Sequence, residues 1–398
     1  MCALDISKYP IPTQAFIGRK YVDTKGSGKQ SLRSSVNDEV VTSELQWATA
    51  EDVDAAVAAA ESALDVWAKD SNKTPTNSNG SEIFTCYGGL IDQFHGTVAT
   101  PHEDGTLEYI LRQPYGVVAG ITPFNGPFLT FAMKEQTPPS TLFAASLTKA
   151  AGFPDGLIVV FTGGADAGSV LAAHMKIRML SFTGSIGVGK KIQQAAAGSN
   201  LKKLTLELGG KSPVIVFDDA DVCAGGTRMY DQEGVAQEMM FLMKGIVEYM
   251  ASTLGASPLE LTTMTSPLYN HRQKDVVMKY IEQGKTEATF LTGGSTVGEK
   301  GCYMQPTIFI NPAKDAKVLN EEIFGPILTI VTFKVEAEAL ALANDTEYAL
   351  AAYIWIKDLG RASRASKNIE AGSVCVNSAM IFDKGRPFGG WKQSGQGL

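Results

Sequence analysis

The sequence is poor in the residue types that build metal sites and disulfide frameworks. It has only 4 histidines and 5 cysteines among 398 residues. None of them form a C-x-x-C pair or another closely spaced ligand motif, so the pattern predicts no metal site and no disulfide scaffold. Scattered cysteines are typical of reduced thiols, which favours a cytoplasmic protein whose cysteine chemistry, if any, uses a single thiol. The cysteines are Cys2, Cys86, Cys223, Cys302 and Cys375.

Long apolar runs and an excess of positive charge are also absent. No stretch approaches the roughly 18 apolar residues of a membrane-spanning helix, and residues 1–14 lack the apolar core of a signal peptide. The net charge of -7 argues against a nucleic-acid partner. We therefore expect neither a membrane nor a nucleic-acid partner. The 44% apolar content is enough for the cores of two or three domains.

Strand-like and helix-like segments alternate along the chain, which predicts an α/β fold with largely parallel sheets. Thr49 is the predicted N-cap of the first helix, and the polar residues 70–81 are a predicted loop. Residues 16–22 and 36–45 are predicted to be short strands or extended chain. The other predicted strands are 116–124, 156–164, 179–185, 201–210, 213–217, 327–334, 351–356 and 373–377. The predicted helices are 49–67, 138–151, 187–198, 235–254 and 270–284.

A glycine-rich turn joins a strand to a helix in FTGSIGVG (182–189). Backbone N–H groups at such a helix N-terminus can hold a phosphate. The spacing is not G-x-G-x-x-G, so a purely structural tight turn is an equally good interpretation of this segment alone.

The segment LTLELGGKSP (204–213) alternates as a strand and then meets two glycines. Glu207 at the strand's end is a candidate general base, since the glycines allow another backbone or a ligand to approach. The alternative is a carboxylate on a solvated strand face.

Two further residues, a cysteine and an asparagine, are candidates for a covalent mechanism, one as the nucleophile and the other as a hydrogen-bond donor. Cys223 in CAGGTR, with Arg228 five positions on, is a candidate nucleophile, and the alternative is a small buried apolar side chain. Asn125 in TPFNGP could donate its amide to an oxyanion, and the alternative is an ordinary Asn-Gly turn.

Two motifs complete the set. The paired carboxylates of EEIFGP (321–326) could bind a ribose or simply end a helix, and PFGGWKQSG (387–395) is either a site loop or a packing loop.

The order of these motifs is more specific than any of them alone. FTGSxxxG, LELGGKSP, CxGGxR, EEIFGP and PFGGxKxSG follow one another as in the aldehyde dehydrogenase superfamily, which the chain resembles from residue 16 to its last residue. The resemblance implies a Rossmann-like cofactor domain plus an α/β catalytic domain, both incomplete relative to the family. It places the interrupted cofactor domain at residues 1–104 and 115–209, a remnant of the oligomerisation arm at 105–114, and the catalytic domain at 210–398.

The resemblance also implies an activity, which is NAD(P)-dependent oxidation of a small-molecule aldehyde to a carboxylic acid. Cys223 matches the nucleophile that forms the thiohemiacetal and thioester. Asn125, with the Cys223 backbone N–H, matches the oxyanion site, and Glu207 matches the residue that activates water. Phe124 and Phe388 match walls of the substrate channel.

The cofactor residues are implied in the same way. The turn that contacts the pyrophosphate corresponds to Gly184, Ser185, Ile186, Gly187, Val188 and Gly189. Glu322 and Phe324 match residues at the nicotinamide ribose and ring. Glu135 matches an acidic residue at the adenine ribose, which favours NAD over NADP. The family resemblance further implies a homo-oligomer.

The chain also departs from the family pattern. Relative to it, a helical region after Trp67, a strand near residues 133–141, a helix between Asp221 and Cys223, and the strand expected after SGQGL (394–398) are missing. Nearby carboxylates disfavour a thiolate at Cys223. The alternative is therefore a catalytically inactive, aldehyde dehydrogenase-like pseudoenzyme with a binding or structural role.

Overall fold

The computed structural model describes residues 10–26, 28–69, 97–98, 108–123, 138–220, 228–232, 266–378 and 386–397, together with residues 89 and 106. The chain divides into two compact units. The first unit consists of Met1–Gln30, Ser43–Thr205 and Asp383–Arg386, and the second of Ser31–Thr42, Leu206–Phe382 and Pro387–Leu398. The loop predicted at 70–81 and the helix predicted at 235–254 lie outside the described residues.

Strands and helices alternate over most of the described chain, as the sequence predicts. The strands are β1 (Ala15–Ile17), β2 (Lys20–Val22), β3 (Lys29–Arg33), β4 (Val40–Gln46), β5 (Thr97–Val98), β6 (Tyr109–Ile110), β7 (Val118–Ile121), β8 (Met179–Thr183), β9 (Lys203–Glu207), β10 (Pro213–Val216), β11 (Arg228–Gln232), β12 (Thr289–Thr292), β13 (Thr307–Ile310), β14 (Ile327–Phe333), β15 (Ala351–Trp355), β16 (Ser373–Val376) and β17 (Gly395–Gln396). The helices are α1 (Ala50–Lys69), α2 (Pro138–Ala150), α3 (Ala165–Ala173), α4 (Ile186–Ala197), α5 (His271–Glu287), α6 (Lys317–Asn320), α7 (Glu336–Asn344) and α8 (Leu359–Asn368), with a 3₁₀ turn at Lys392–Ser394. Among the described helices, none combines the length and apolar character needed to cross a membrane.

In the first unit, short hairpins accompany a small parallel sheet. β1 pairs antiparallel with β2, and β7 pairs parallel with β8, whose other neighbour is β9. Helix α1 begins after Thr49 as predicted. Asp52 in its first turn accepts hydrogen bonds from the backbone N–H and the hydroxyl of Thr49, both at 2.8 Å. Both bonds run from Thr49 to Asp52, and they tie the residue before the helix to its first turn.

The strand predicted over residues 156–164 is wrong. Only Val160 makes a ladder contact, an isolated bridge in which it exchanges two backbone hydrogen bonds with Phe16. Two residues on, the Thr162 carbonyl accepts the Ala48 N–H at 2.7 Å. The run is apolar because Val160 and its neighbours are buried, but its backbone partners come from separate segments, so no regular ladder forms.

The second unit is built on a seven-stranded sheet with the order β12-β13-β14-β11-β10-β15-β16. All neighbours pair in parallel except β12, which runs antiparallel to β13 at one edge. Strand β10 is fully buried. Its residue Ile215 packs with Phe333 and Ile354 on one face, and Val214 and Val216 pack on the other. Burial on both faces explains why this strand is a continuous apolar run.

Candidate active site

The glycine-rich turn of the first unit has the geometry of an anion-binding helix start. Ser185 is the N-cap of α4, in extended conformation, and its carbonyl accepts the N–H groups of Val188 and Gly189 at 3.1 and 2.9 Å. The Ser185 side chain makes no capping hydrogen bond. Gly187 is exposed and has open space where a Cβ would stand. The helix start therefore offers backbone N–H groups and the positive end of a helix dipole to a phosphate.

Glycine is required at the first position of this turn. A Cβ on Gly184 would lie 2.4 Å from Cζ of the Phe182 ring, far inside van der Waals contact. The Phe182 ring therefore leaves no space for a side chain at Gly184, whereas the start of α4 is open to solvent. This arrangement fits a dinucleotide pyrophosphate.

Glu207 is the last residue of β9 and lies in the second unit. Its side chain is half-buried, and desolvation raises the pKa of this carboxyl to about 7. It is therefore not a carboxylate on a solvated strand face. A carboxyl that titrates near neutral pH can both take up and release a proton under physiological conditions.

The C-terminal motif holds the segment around Glu207 in place. Gly395 pairs with Glu207 in register, and the Ser394 carbonyl accepts the Leu208 N–H at 2.8 Å. The fully buried Ser394 hydroxyl donates to the Gly209 carbonyl and accepts the Ala349 N–H at 2.8 Å. Ser394 and Gly395 of the PFGGWKQSG motif thus position the Glu207 segment through packing and hydrogen bonds.

Glu322 lies against the glycine pair that follows Glu207. A Cβ on Gly209 would lie 2.3 Å from Oε2 of Glu322, so a larger residue there would displace this carboxylate from its present position. Burial raises the pKa of Glu322, and the Gly210 N–H and the Lys211 ammonium oppose that rise. The structure therefore brings EEIFGP and LELGGKSP together, as a shared site requires.

Phe324 presents its ring from a constrained backbone. Its φ is +57°, in the left-handed region that a bulky residue rarely adopts, and its side chain is 44% exposed. The Gln273 amide donates to the carbonyls of Ile323 and Phe324 at 2.8 and 3.2 Å. These two bonds hold the backbone of Phe324 in its strained conformation. Backbone strain maintained in this way is typical of residues that contact a ligand.

Lys211 is a residue that the sequence analysis left without a role. Only 2% of it is exposed, and its ammonium donates to the carbonyls of Val318 and Glu321 at 3.1 and 2.7 Å. A buried cation anchored to carbonyls at the end of α6 fixes the segment that carries Glu322. The indication in the sequence is a lysine two residues before the apolar strand at 213–217.

The remaining predicted site residues are divided between described and undescribed parts of the chain. Phe388 is described and 39% exposed. Cys223, Asn125, Glu135 and Phe124 lie outside the described residues, so their roles stay predictions from the sequence.

Comparisons with known proteins give one consistent result. The sequence profile of the aldehyde dehydrogenase family matches residues 71–398 of this chain. An aldehyde dehydrogenase of Emericella nidulans is 37% identical over 466 residues, covering 98% of this chain and 92% of the relative. Aldehyde dehydrogenase family 2 member C4 of Arabidopsis thaliana is 39% identical over 348 residues, covering 78% of this chain and 69% of the relative. The Emericella alignment is longer than the 398 residues of this chain, so it includes segments of the relative that this chain lacks.

A solved structure extends the similarity to the fold. A mutant of the P. syringae AldA indole-3-acetaldehyde dehydrogenase, in complex with NAD+ and IAA, superposes with a TM-score of 0.88 at 29% identity. The match covers 98% of this chain and 93% of that one. Sequence and fold agree, and the chain belongs to the aldehyde dehydrogenase family.

Proposed function

We propose that this chain oxidises an aldehyde to a carboxylic acid, with NAD+ as the hydride acceptor, through a covalent intermediate on Cys223. The Cys223 thiolate adds to the aldehyde carbonyl and forms a thiohemiacetal. The Asn125 amide and the Cys223 N–H stabilise the negative oxygen. The N-terminus of α4 would hold the pyrophosphate of NAD+, and the nicotinamide would supply the hydride acceptor for the thiohemiacetal carbon, so that a thioester would remain on Cys223. Water activated by Glu207 hydrolyses the thioester, giving the carboxylic acid and the free thiol.

The observation that carries this proposal is the environment of Glu207. Its carboxyl is half-buried at the end of β9, and desolvation raises its pKa to about 7. A general base works best when its pKa lies near the operating pH. A carboxylate with an ordinary pKa would be a weaker base toward water.

The cofactor assignment rests on two features of the described residues. The exposed start of α4 at Gly187 suits a pyrophosphate, and Glu322 offers a carboxylate that can accept hydrogen bonds from ribose hydroxyls. The P. syringae structure contains bound NAD+. Glu135, by resemblance, would favour NAD+ over NADP+ by repelling a 2′-phosphate.

The decisive test is a rapid-mixing experiment with an aldehyde and NAD+. In Glu207→Gln, we expect a burst of about one NADH per chain and slow turnover afterwards, because the thioester forms but is not hydrolysed. Mass spectrometry should then find the acyl group on Cys223. Glu299→Gln makes the same chemical change on an exposed loop residue and should retain wild-type turnover.

The pH dependence sharpens this test. With a pKa of about 7, the hydrolysis rate constant should fall about 10-fold between pH 8 and pH 6, since only the ionised carboxyl acts as a base. Unchanged steady-state turnover in Glu207→Gln would overturn the role of this residue. A folded wild-type chain that forms no NADH, either in a burst or in the steady state, would favour the pseudoenzyme alternative.

A further inference from the structure

Three side chains with metal-binding atoms converge in the second unit, although they are far apart in the sequence. They are Asp38, His271 and Cys302, and their ligand atoms all lie within 4.8 Å of one another. None of them belongs to the proposed active site.

The carboxylate is held by an unusual backbone conformation. Asp38 has φ of +63°, in the left-handed region, within the turn between β3 and β4. Its N–H donates to the Ser34 carbonyl at 3.0 Å, and the Ser34 N–H donates to the Glu39 carbonyl at 2.9 Å. The turn therefore fixes the direction in which the Asp38 carboxylate points.

The thiol is placed by the same turn. The Gly301 N–H donates to Oδ2 of Asp38 at 2.9 Å, and the Cys302 N–H donates to the Ser35 carbonyl at 2.8 Å. A Cβ on Gly301 would lie 2.3 Å from the Val36 carbonyl oxygen, and Gly301 itself has φ of +76°. Only glycine permits this close approach, which brings Cys302 against the Asp38 turn. Cys302 is fully buried.

The imidazole comes from the first residue of α5. The Asn270 side chain caps this helix by accepting the Gln273 N–H at 2.9 Å, and Nε2 of His271 is hydrogen-bonded to Oδ1 of Asp38. The Cys302 carbonyl accepts the Leu268 N–H at 2.9 Å, which ties the two segments together. The His271 side chain is 51% exposed, so the cluster is open to solvent on one side.

A carboxylate, an imidazole and a thiolate form a donor set that suits zinc. In a tetrahedral zinc site with bonds of roughly 2.0–2.3 Å, ligand atoms lie about 3.3–3.8 Å apart. This spacing fits within the 4.8 Å limit of the cluster. We propose that Asp38, His271 and Cys302 form a zinc site, with water as the fourth ligand on the exposed side of His271.

The surroundings of the Cys302 thiol disfavour its ionisation. Burial raises the pKa of the Cys302 thiol, the Lys274 ammonium lowers it, and the carboxylates of Asp38 and Asp275 raise it further. Zinc binds the thiolate, so its binding has to overcome this effect of burial. Zinc would join three separate segments and stabilise the second unit.

Cobalt(II) as a spectroscopic probe tests this proposal without reference to activity. The full chain with Cys223→Ala is titrated with Co²⁺, so that the predicted nucleophile cannot supply the thiolate. We expect one equivalent to give a thiolate-to-cobalt charge-transfer band and tetrahedral d–d bands, both of which disappear when Zn²⁺ is added. Zn²⁺ should also raise the Tm of this chain.

Variants identify the ligands. In the same background, Cys302→Ser should abolish the charge-transfer band, and His271→Gln should weaken Zn²⁺ binding at least about 10-fold. His271 is exposed, so its loss leaves the core intact. Cys375→Ser and His174→Gln are the matched controls and should change neither readout. A band that persists in Cys302→Ser, or Zn²⁺ affinity unchanged in His271→Gln, would overturn the proposal.

Discussion

The raised pKa of Glu207 makes the stability of the fold depend on pH in a specific direction. The carboxyl titrates at about 7 in the folded chain, against the ordinary value of 4.5 expected in the unfolded chain. Between these values the folded state binds more protons than the unfolded state. The contribution of Glu207 to the free energy of unfolding is therefore present below about pH 4.5 and is lost as the pH rises to about 7. Glu207→Gln keeps the shape of the side chain and removes this dependence.

The size of the effect follows from the pKa difference. A shift from 4.5 to about 7 corresponds to an upper limit of ~3.4 kcal/mol at about 1.36 kcal/mol per unit. The side chain is only half-buried, so solvent screening reduces this to about 1–2 kcal/mol. Relative to wild type, Glu207→Gln should therefore gain about 1–2 kcal/mol in free energy of unfolding between pH 5 and pH 8.

Urea denaturation of both chains at pH 5 and pH 8, followed by tryptophan fluorescence, measures this difference directly. The difference in free energy of unfolding between variant and wild type at each pH cancels the contributions that all other titrating groups make to stability. The exposed Glu299→Gln serves as the control and should show no such change between the two pH values. If Glu207→Gln and wild type differ by the same amount at pH 5 and pH 8, the argument from desolvation is refuted.

Three further substitutions test how the site is built. Gly209→Ala places a methyl group 2.3 Å from the Glu322 carboxylate and should raise the KM for NAD+ several-fold in steady-state kinetics; an unchanged KM would contradict the placement of that carboxylate. Gly184→Ala meets the Phe182 ring at 2.4 Å and should cost about 1–3 kcal/mol by urea denaturation, since overpacking strains a filled space. Ser394→Ala leaves a buried backbone N–H unpaired and should also cost about 1–3 kcal/mol by urea denaturation; an unchanged free energy of unfolding would contradict the role of this hydroxyl.

Much of the fold was predictable because hydrophobic patterns report burial. The apolar run at 213–217 corresponds to the fully buried β10, and α1 begins directly after Thr49, as the pattern of 49–67 predicts. The similar run at 156–164 was wrongly predicted as a strand, because apolarity does not show whether a neighbouring strand is available for pairing. Helix α8 was not predicted, since its buried residues are only Ala362 and Ala365 and leave no strong apolar stripe.

The site was predictable to a different extent. The ordered motifs identified the family, and the comparisons confirm that resemblance. The sequence did not reveal that Lys211 would fix the EEIFGP segment, because the carbonyls it contacts lie more than 100 residues away. Nor did it predict a metal site, because Asp38, His271 and Cys302 meet only in three dimensions.

The central claim is that this chain is an aldehyde-oxidising enzyme that uses Cys223. The most direct measurement is NADH formation by the purified, cooperatively folded chain over a panel of aliphatic and aromatic aldehydes, compared with Cys223→Ala. We predict turnover in the wild-type chain and none in Cys223→Ala. No turnover from the folded wild-type chain, or equal turnover in Cys223→Ala, would contradict the claim.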